Sequence, residues 1–442
     1  MNLSKKHIIL FLFFSMIMLE FLIVQSLAQS RNQKTKLSTK IITLGKIHNL
    51  VRGEDWLYAV SPDQEKVAYV TFRKEKFVAV IDGVEEEKAC DWIYKIIFSP
   101  DSKKVAYLAD IEAKLYWILD GYGDKGYNSV SKSIVFSPDS KRIAFSAEKE
   151  GKWHVIIDGI EGEEEYDDMG LFIFSPDSKR VAFSAKKEGK WHVIIDGIEG
   201  EEEYDGVEFI IFSPDSKRVA YVASGEIQSL IVIDGIKKYY DIVGFPIFSP
   251  DSKKVGYSAF YKYKDHLVLN GIEEEKDVDN IGQIIFSPDS KRVAYAVNKG
   301  NKWFMVIDGV KGRPYDSLAG GVFSPDSKRF AYSAIRDGRS LVVIDGNEGK
   351  KKYDLTSQII FSPDSSRVAY VGLLVDKLYM VLDGVEEYEL DGTFQGGPIF
   401  NTDSKIVSFV IGNAGAIELF LIKGAQVIKD WEIFRVEVEI QM

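Results

Sequence analysis

Short apolar runs alternate with polar punctuation along almost the whole chain, and the punctuation is periodic. In the stretch Phe174-Ser175-Pro176-Asp177-Ser178-Lys179-Arg180-Val181-Ala182-Phe183, an apolar run (171–174) leads into a polar turn and then a second run (181–185), where bulky Val181 and Phe183 alternate with small Ala182 and Ser184. Alternation with period two marks a strand whose two faces meet different neighbours. The Ser-Pro-Asp core returns at Ser61, Ser99, Ser137, Ser175, Ser213, Ser249, Ser287, Ser324 and Ser362, with a worn tenth copy at Asn401-Thr402-Asp403, and successive prolines lie 36 to 38 residues apart. Ser opens such a turn, Pro presets the backbone angle of the next position, and the Asp carboxylate accepts from nearby backbone N–H groups.

A second mark keeps the same period: Asp82-Gly83, Asp120-Gly121, Asp158-Gly159, Asp196-Gly197, Asp234-Gly235, Asn270-Gly271, Asp308-Gly309, Asp345-Gly346 and Asp383-Gly384. Asp-Gly after an apolar run is a strong hairpin signal. The fourth copy thus reads as four strands, at 171–174, 181–185, 191–195 and 201–204. Four strands of five or six residues with four short connections fill about 38 residues and leave no room for a helix of ordinary length. Short antiparallel strands repeated at this period predict an all-β fold of the β-propeller kind, about ten four-stranded antiparallel repeats of ~38 residues over residues 41–442. One large ring, two adjoining rings and an imperfectly closed array all fit that count. Acidic runs near strand four (Glu85 to Glu87, Glu163 to Glu165, Glu201 to Glu203, Glu273 to Glu275) suit an outer edge, where charge discourages pairing with other chains.

The pattern Phe-Ser-Pro-Asp-x-Lys-Arg-Val-Ala-Tyr resembles the WD-like repeat of TolB-type β-propellers, and the resemblance covers about residues 51 to 424. It implies a propeller, in a family of periplasmic or extracellular proteins best known for binding partner proteins. This chain carries Ser102, Ser140, Ser178 and their equivalents where that family usually has Gly after the Asp.

Residues 1–28 read as a secretory signal peptide: Lys5 and Lys6, an apolar stretch, then Ser26-Leu27-Ala28 before Gln29. An uncleaved anchor over residues 8–27, interrupted by Glu20, is the alternative. Residues 29–40 are polar and basic and predict a flexible lead-in. A strand is expected at 41–47, and others at 427–431 and 434–440. Removing residues 1–28 takes away two lysines and one glutamate, so the formal charge of −11 becomes −12. Such an acidic protein is a poor nucleic-acid binder. With Cys90 as the single cysteine, an intrachain disulfide is excluded. Periplasmic or secreted localisation is expected, with no membrane span once the signal is cleaved.

The Ser-Pro-Asp and Asp-Gly turns share one end of the repeats, and the opposite end carries the variable loops, including those at Phe260 to Lys264, Ile335 to Asp337 and Leu373 to Val375. Loops on a rigid scaffold are where specificity changes without disturbing the core. Tyr261, Tyr263, Trp303 and Arg336 there form the candidate partner-binding set. Blade packing is the competing role for Trp117, Trp153, Trp191 and Trp303. Asp91, Asp167, Asp205, Asp241, Asp279, Asp316 and Asp354 end strand four, often after a Tyr. They are read as turn formers in preference to a calcium-binding ring. No Gly-x-Ser-x-Gly elbow and no phosphate-cradling glycine loop occurs, and His154 and His192 repeat beside Trp as furniture of adjacent copies. No cofactor, metal or catalytic residue is expected. The reading is an exported, non-catalytic binding module for a protein or cell-envelope partner. Its rivals are a propeller hydrolase or lyase acting on extracellular polysaccharide and a mainly structural, cation-stabilised surface protein.

Overall fold

The computed structural model describes residues 58–442 except 64–65, 122, 124, 132–133, 392, 401–403, 405, 414–415, 424–433 and 437–442. The signal sequence, the lead-in, the strands expected at 41–47 and 427–431 and the Asn401-Thr402-Asp403 turn lie outside the described residues. Those described form 42 strands and no helix, in ten sheets spanning residues 58–90, 92–119, 129–161, 168–199, 206–240, 242–278, 280–315, 317–348, 355–391 and 393–436. In six sheets four strands follow one another in chain order; in three, strand one is broken into two pieces that both pair with strand two; the sheet of 92–119 has three strands. In that sheet an isolated bridge between Leu115 and Tyr127 marks the place of strand four. Pairing is antiparallel, as in Tyr221↔Val232 and Tyr332↔Val343. The fold is therefore all-β and of the propeller class, its repeats being the predicted four-stranded units.

Two compact units divide the described chain. The first holds residues up to 182 together with 195–197, and the second holds 183–194 and everything from 198. Within each, consecutive sheets stack and bury side chains from both. In the first unit, Ala68, Phe77, Ile93, Tyr107 and Ile118 form one cluster drawn from the first two sheets. In the second, Ile285, Met305, Tyr315, Phe323, Phe330, Tyr332 and Leu341 join the seventh and eighth sheets. Tyr pairs seventeen residues apart recur at these seams: Tyr204–Tyr221, Tyr240–Tyr257, Tyr315–Tyr332 and Tyr353–Tyr370, with ring centroids 5.9, 6.0, 6.1 and 6.2 Å apart and edge-on.

The serine that follows the motif aspartate has a specific use. Ser102, Ser140, Ser178, Ser252, Ser290, Ser327, Ser365 and Ser404 all sit in the left-handed region, with φ between 61° and 64° for the first five. Glycine would enter that region at little cost, whereas other residues are strained there. Each serine hydroxyl accepts the backbone N–H of the Ser-Pro-Asp aspartate one repeat earlier. Asp63 to Ser102, Asp101 to Ser140 and Asp139 to Ser178 make this bond in the first unit at 2.9–3.0 Å. In the second unit Asp215 to Ser252, Asp251 to Ser290, Asp289 to Ser327, Asp326 to Ser365 and Asp364 to Ser404 repeat it. A net value of about 1 kcal/mol per such bond offsets the strained angle.

The other motif residues are equally engaged. Ser287 Oγ donates to Asp289 at 2.7 Å and accepts the Arg292 N–H at 2.9 Å. Arg292 reaches Asp308 of its own Asp-Gly turn at 2.7 Å, donates to the Lys328 carbonyl of the next repeat at 2.8 Å, and lies 5.2 Å over the Phe323 ring. Arg142 does the same with Asp158, the Lys179 carbonyl and Phe174. Within each unit the repeat signature is thus a set of ties joining one repeat to the next at one end of the sheets.

Strand four corrects one expectation. In the fourth repeat it runs Ile198–Glu199 and returns only as a bridge between Tyr204 and Trp191, so Glu201 to Glu203, placed in a strand by the pattern, are looped out and exposed. Gly200 N–H bonds the Val193 carbonyl at 3.0 Å, and residues 201–203 then lie opposite the single residue His192. Three adjacent carboxylates on an edge gain more from water than from pairing.

Candidate partner-binding surface

Opposite the tied turns, strands two and three join by tight hairpins whose central residues have positive φ, as Glu188-Gly189 and Asp337-Gly338 do. That conformation suits glycine at one or both central positions. Four repeats instead place two non-glycine residues there: Lys74 and Glu75 in the first, Glu112 and Ala113 in the second, Lys262 (φ 52°) and Tyr263 (φ 66°) in the sixth, and Val375 (φ 49°) and Asp376 (φ 61°) in the ninth. A β-branched or bulky residue at positive φ is an outlier.

These side chains project into solvent. Tyr263 is 90% exposed and Val375 73%. Beside Tyr263, the Tyr261 ring carries the Lys262 ammonium 4.8 Å from its centroid, and His266 Nε2 lies 3.2 Å from the Tyr261 carbonyl. Ile242, also exposed, pairs with Phe260 in the same sheet. Asp265, next to His266, has its carboxyl pushed up to about 6 by burial. In the fifth repeat the strands pair only as far as Ser224 and Ser229, a Gly225 N–H bond to the Gln228 carbonyl closes the turn, and its tip presents Ile227 at 91% exposure. Ile227 and Ile242 escaped the sequence reading. The spacing gave no signal for Ile227, because Pro214 and Asp234 are 20 residues apart as Pro176 and Asp196 are, and the shortening of the fifth repeat falls after Asp234.

The four sequence candidates separate into two kinds. Tyr261 and Tyr263 share the exposed tip of the sixth repeat. Trp303 is partly buried, with its ring close enough to Gly282 that a Cβ there would lie 3.3 Å from it. Arg336 is held by Glu348 through two bonds of 2.7 and 2.8 Å and lies 4.7 Å over the Tyr315 ring.

The strand-four aspartates are engaged as well. Asp279 faces Lys264 at 3.1 Å, and Asp167, Asp205 and Asp316 each face a lysine at 2.6 Å; Lys76 pairs with Asp91 and Arg339 with Asp354. Their second oxygens accept hairpin N–H groups of the following repeat, Asp279 from Gly300 at 2.8 Å and Asp316 from Asp337 at 2.7 Å. Neighbouring cations and N–H donors hold Asp91, Asp279 and Asp316 below the usual carboxylate range. Among the described residues no group of three or more His, Cys, Asp or Glu side chains gathers as a metal site would require. Trp117 donates from its indole to the Ser131 carbonyl at 3.2 Å and is buried.

The class defined by these features is a β-propeller with one end tied repeat to repeat and the other bearing exposed apolar tips. No protein-family model matches the chain, and no curated protein matches it. Among solved structures it is similar to "Crystal structure of the eukaryotic initiation factor", at 13% identity and a TM-score of 0.44, covering 74% of this chain and 95% of that one. It is also similar to the Dos1 propeller, at 10% identity and 0.33 over 65% and 90%, and to TolB from Acinetobacter baumannii, at 14% identity and 0.26 over 63% and 76%.

Proposed function

We propose that this protein is an exported, non-catalytic propeller scaffold that binds a protein or cell-envelope partner through the hairpin tips of its fifth, sixth and ninth repeats. The observation that carries the reading is Tyr263. A bulky aromatic stands at 90% exposure in a backbone conformation where Gly151, Gly189 and Gly338 serve the equivalent hairpins. Folding alone gains nothing from that choice, whereas a rigid aromatic on a fixed turn is a good contact residue for a partner. The motif serines, aspartates and arginines are engaged in turn bonds, which supports a structural role for them. Export rests on the pattern of residues 1–28.

Affinity capture from the envelope extract of the protein's own cells tests this. With residues 29–442 as bait, Tyr261→Ala/Tyr263→Ala is expected to lose a partner that the unaltered protein retains, at an unchanged melting temperature. Identical capture by both baits removes the tips from the function.

A further inference from the structure

In four repeats a cation at the end of strand two pairs across the sheet with strand four, and the fifth repeat has no side chain at that position, where the second, sixth and ninth carry Ile111, Tyr261 and Leu374. Four residues after the central aromatic of strand two stand Arg73, Lys149, Lys187 and Arg336, and each pairs with a glutamate of strand four: Glu85 at 2.9 Å, Glu161 at 3.3 Å, Glu199 at 3.8 Å and Glu348 at 2.7 Å. In the fifth repeat that position, four after Tyr221, is Gly225, and the glutamate's place is taken by Lys237. Lys237 turns instead to Glu202 of the preceding repeat in a close ion pair. What remains is a cleft of about 250 Å³ lined by Tyr204, Tyr221, Glu201, Glu202, Val232 and Lys237.

The eighth repeat shows what such a groove holds when filled. There the Arg336 guanidinium lies over Tyr315, the counterpart of Tyr204, and is clamped by a carboxylate that also accepts the Tyr315 hydroxyl at 2.9 Å. Tyr332 beneath it is buried, whereas its counterpart Tyr221 is only partly buried. In the open cleft the Tyr204 and Tyr221 hydroxyls bond each other at 3.0 Å. An aromatic floor with carboxylates on its wall matches the flat, delocalised guanidinium better than a compact ammonium. Ile198 and Ile236 near the cleft are strongly exposed and offer apolar contact to the chain that brings the guanidinium.

We propose that this cleft binds the side chain of an arginine presented by a partner peptide, with the guanidinium over the tyrosine pair and Glu201 as its counter-charge, Glu202 being paired with Lys237. The proposal does not depend on the hairpin tips, since arginine binding and capture through Tyr261 and Tyr263 are read separately.

The probe is an acetylated, amidated pentapeptide Gly-Gly-Arg-Gly-Gly, titrated into residues 29–442 by calorimetry, with citrulline and lysine versions alongside. Citrulline keeps the shape and removes the charge, so its affinity is expected to be at least about tenfold lower, and that of lysine to lie between. Gly225→Arg refills the groove from within and is expected to abolish binding. A Cβ at residue 225 meets only the Gln228 carbonyl, at an ordinary 3.6 Å, so the fold tolerates it. Glu201→Gln is expected to weaken the arginine peptide and leave the citrulline peptide unchanged. Equal binding of arginine and citrulline, no saturable binding of either, or undiminished affinity in both variants would overturn the proposal.

Discussion

The two ends of each repeat obey opposite rules. At the Ser-Pro-Asp end, a left-handed residue is a serine because its hydroxyl reaches the previous repeat, and the arginine beside it clasps the next one. Local strain there is offset by a bond that builds the array. At the hairpin end, Lys262-Tyr263 and Val375-Asp376 adopt the same left-handed region with the side chains of Tyr263 and Val375 left in solvent. The Val375 N–H is bonded to Asp354 at 2.9 Å, so what these turns leave without an internal use is the exposed side chain. The ends therefore differ in what a substitution does: one end should govern stability, and the other recognition.

The largest effect is expected at the tied end. Arg292→Ala removes the bond to Asp308, the link to the Lys328 carbonyl and the stacking on Phe323, and should cost about 2–3 kcal/mol in denaturant unfolding. Ser290→Ala leaves the Asp251 N–H without its acceptor and keeps the left-handed angle, for a loss of about 1–2 kcal/mol. Ser290→Gly loses the same hydroxyl and relieves the angle, so it should cost about 0.5–1 kcal/mol less than the alanine variant. If the two variants are equally unstable, the strain argument fails. At the hairpin end the sign reverses: Tyr263→Gly is expected to gain about 0.5–1 kcal/mol while losing partner capture, a trade that a purely structural tyrosine would not show.

The smallest effects are in pH. The Ser324 hydroxyl and the Lys328 N–H hold Asp326 down to about 2, and the Ser362 hydroxyl and the Ser366 N–H hold Asp364 there too. A depressed carboxyl stabilises the fold above its unfolded value of about 3.9, and that contribution disappears as pH falls through about 2. Asp265 has the opposite sign: raised to about 6 by burial, it costs stability when ionised, and the cost is relieved as pH falls from about 6 toward 4. The melting temperature should rise slightly between pH 7 and 5 and fall below about 4. Asp265→Asn should flatten the rise and leave the acid loss in place.

Much of this was legible in the chain, for physical reasons that can be named. The Ser-Pro-Asp and Asp-Gly turns declare themselves through residue types with fixed backbone preferences, and the apolar runs between them have the length and alternation of strands. The looped-out Glu201 to Glu203 were not legible as such, because charge suits an edge strand and a bulge equally well. The bond from Asp251 to Ser290 spans 39 residues, and no local pattern announces a hydroxyl acting across a whole repeat. Arg336 looked like a free loop cation since its partner Glu348 lies twelve residues away, on a strand two positions over. Tyr261 and Tyr263 were legible as a departure from the repeat, while Ile227 lay hidden in a turn of ordinary length.

The division of labour between the two ends is tested most directly by measuring melting temperature and envelope-extract capture together for Tyr261→Ala/Tyr263→Ala and Ser290→Ala. The tip variant is expected to keep the melting temperature and lose the partner, and the tie variant to lose melting temperature and keep the partner at a temperature where it is folded. Capture that survives the tip variant, or that fails in a folded tie variant, would contradict the assignment of recognition to the hairpin end.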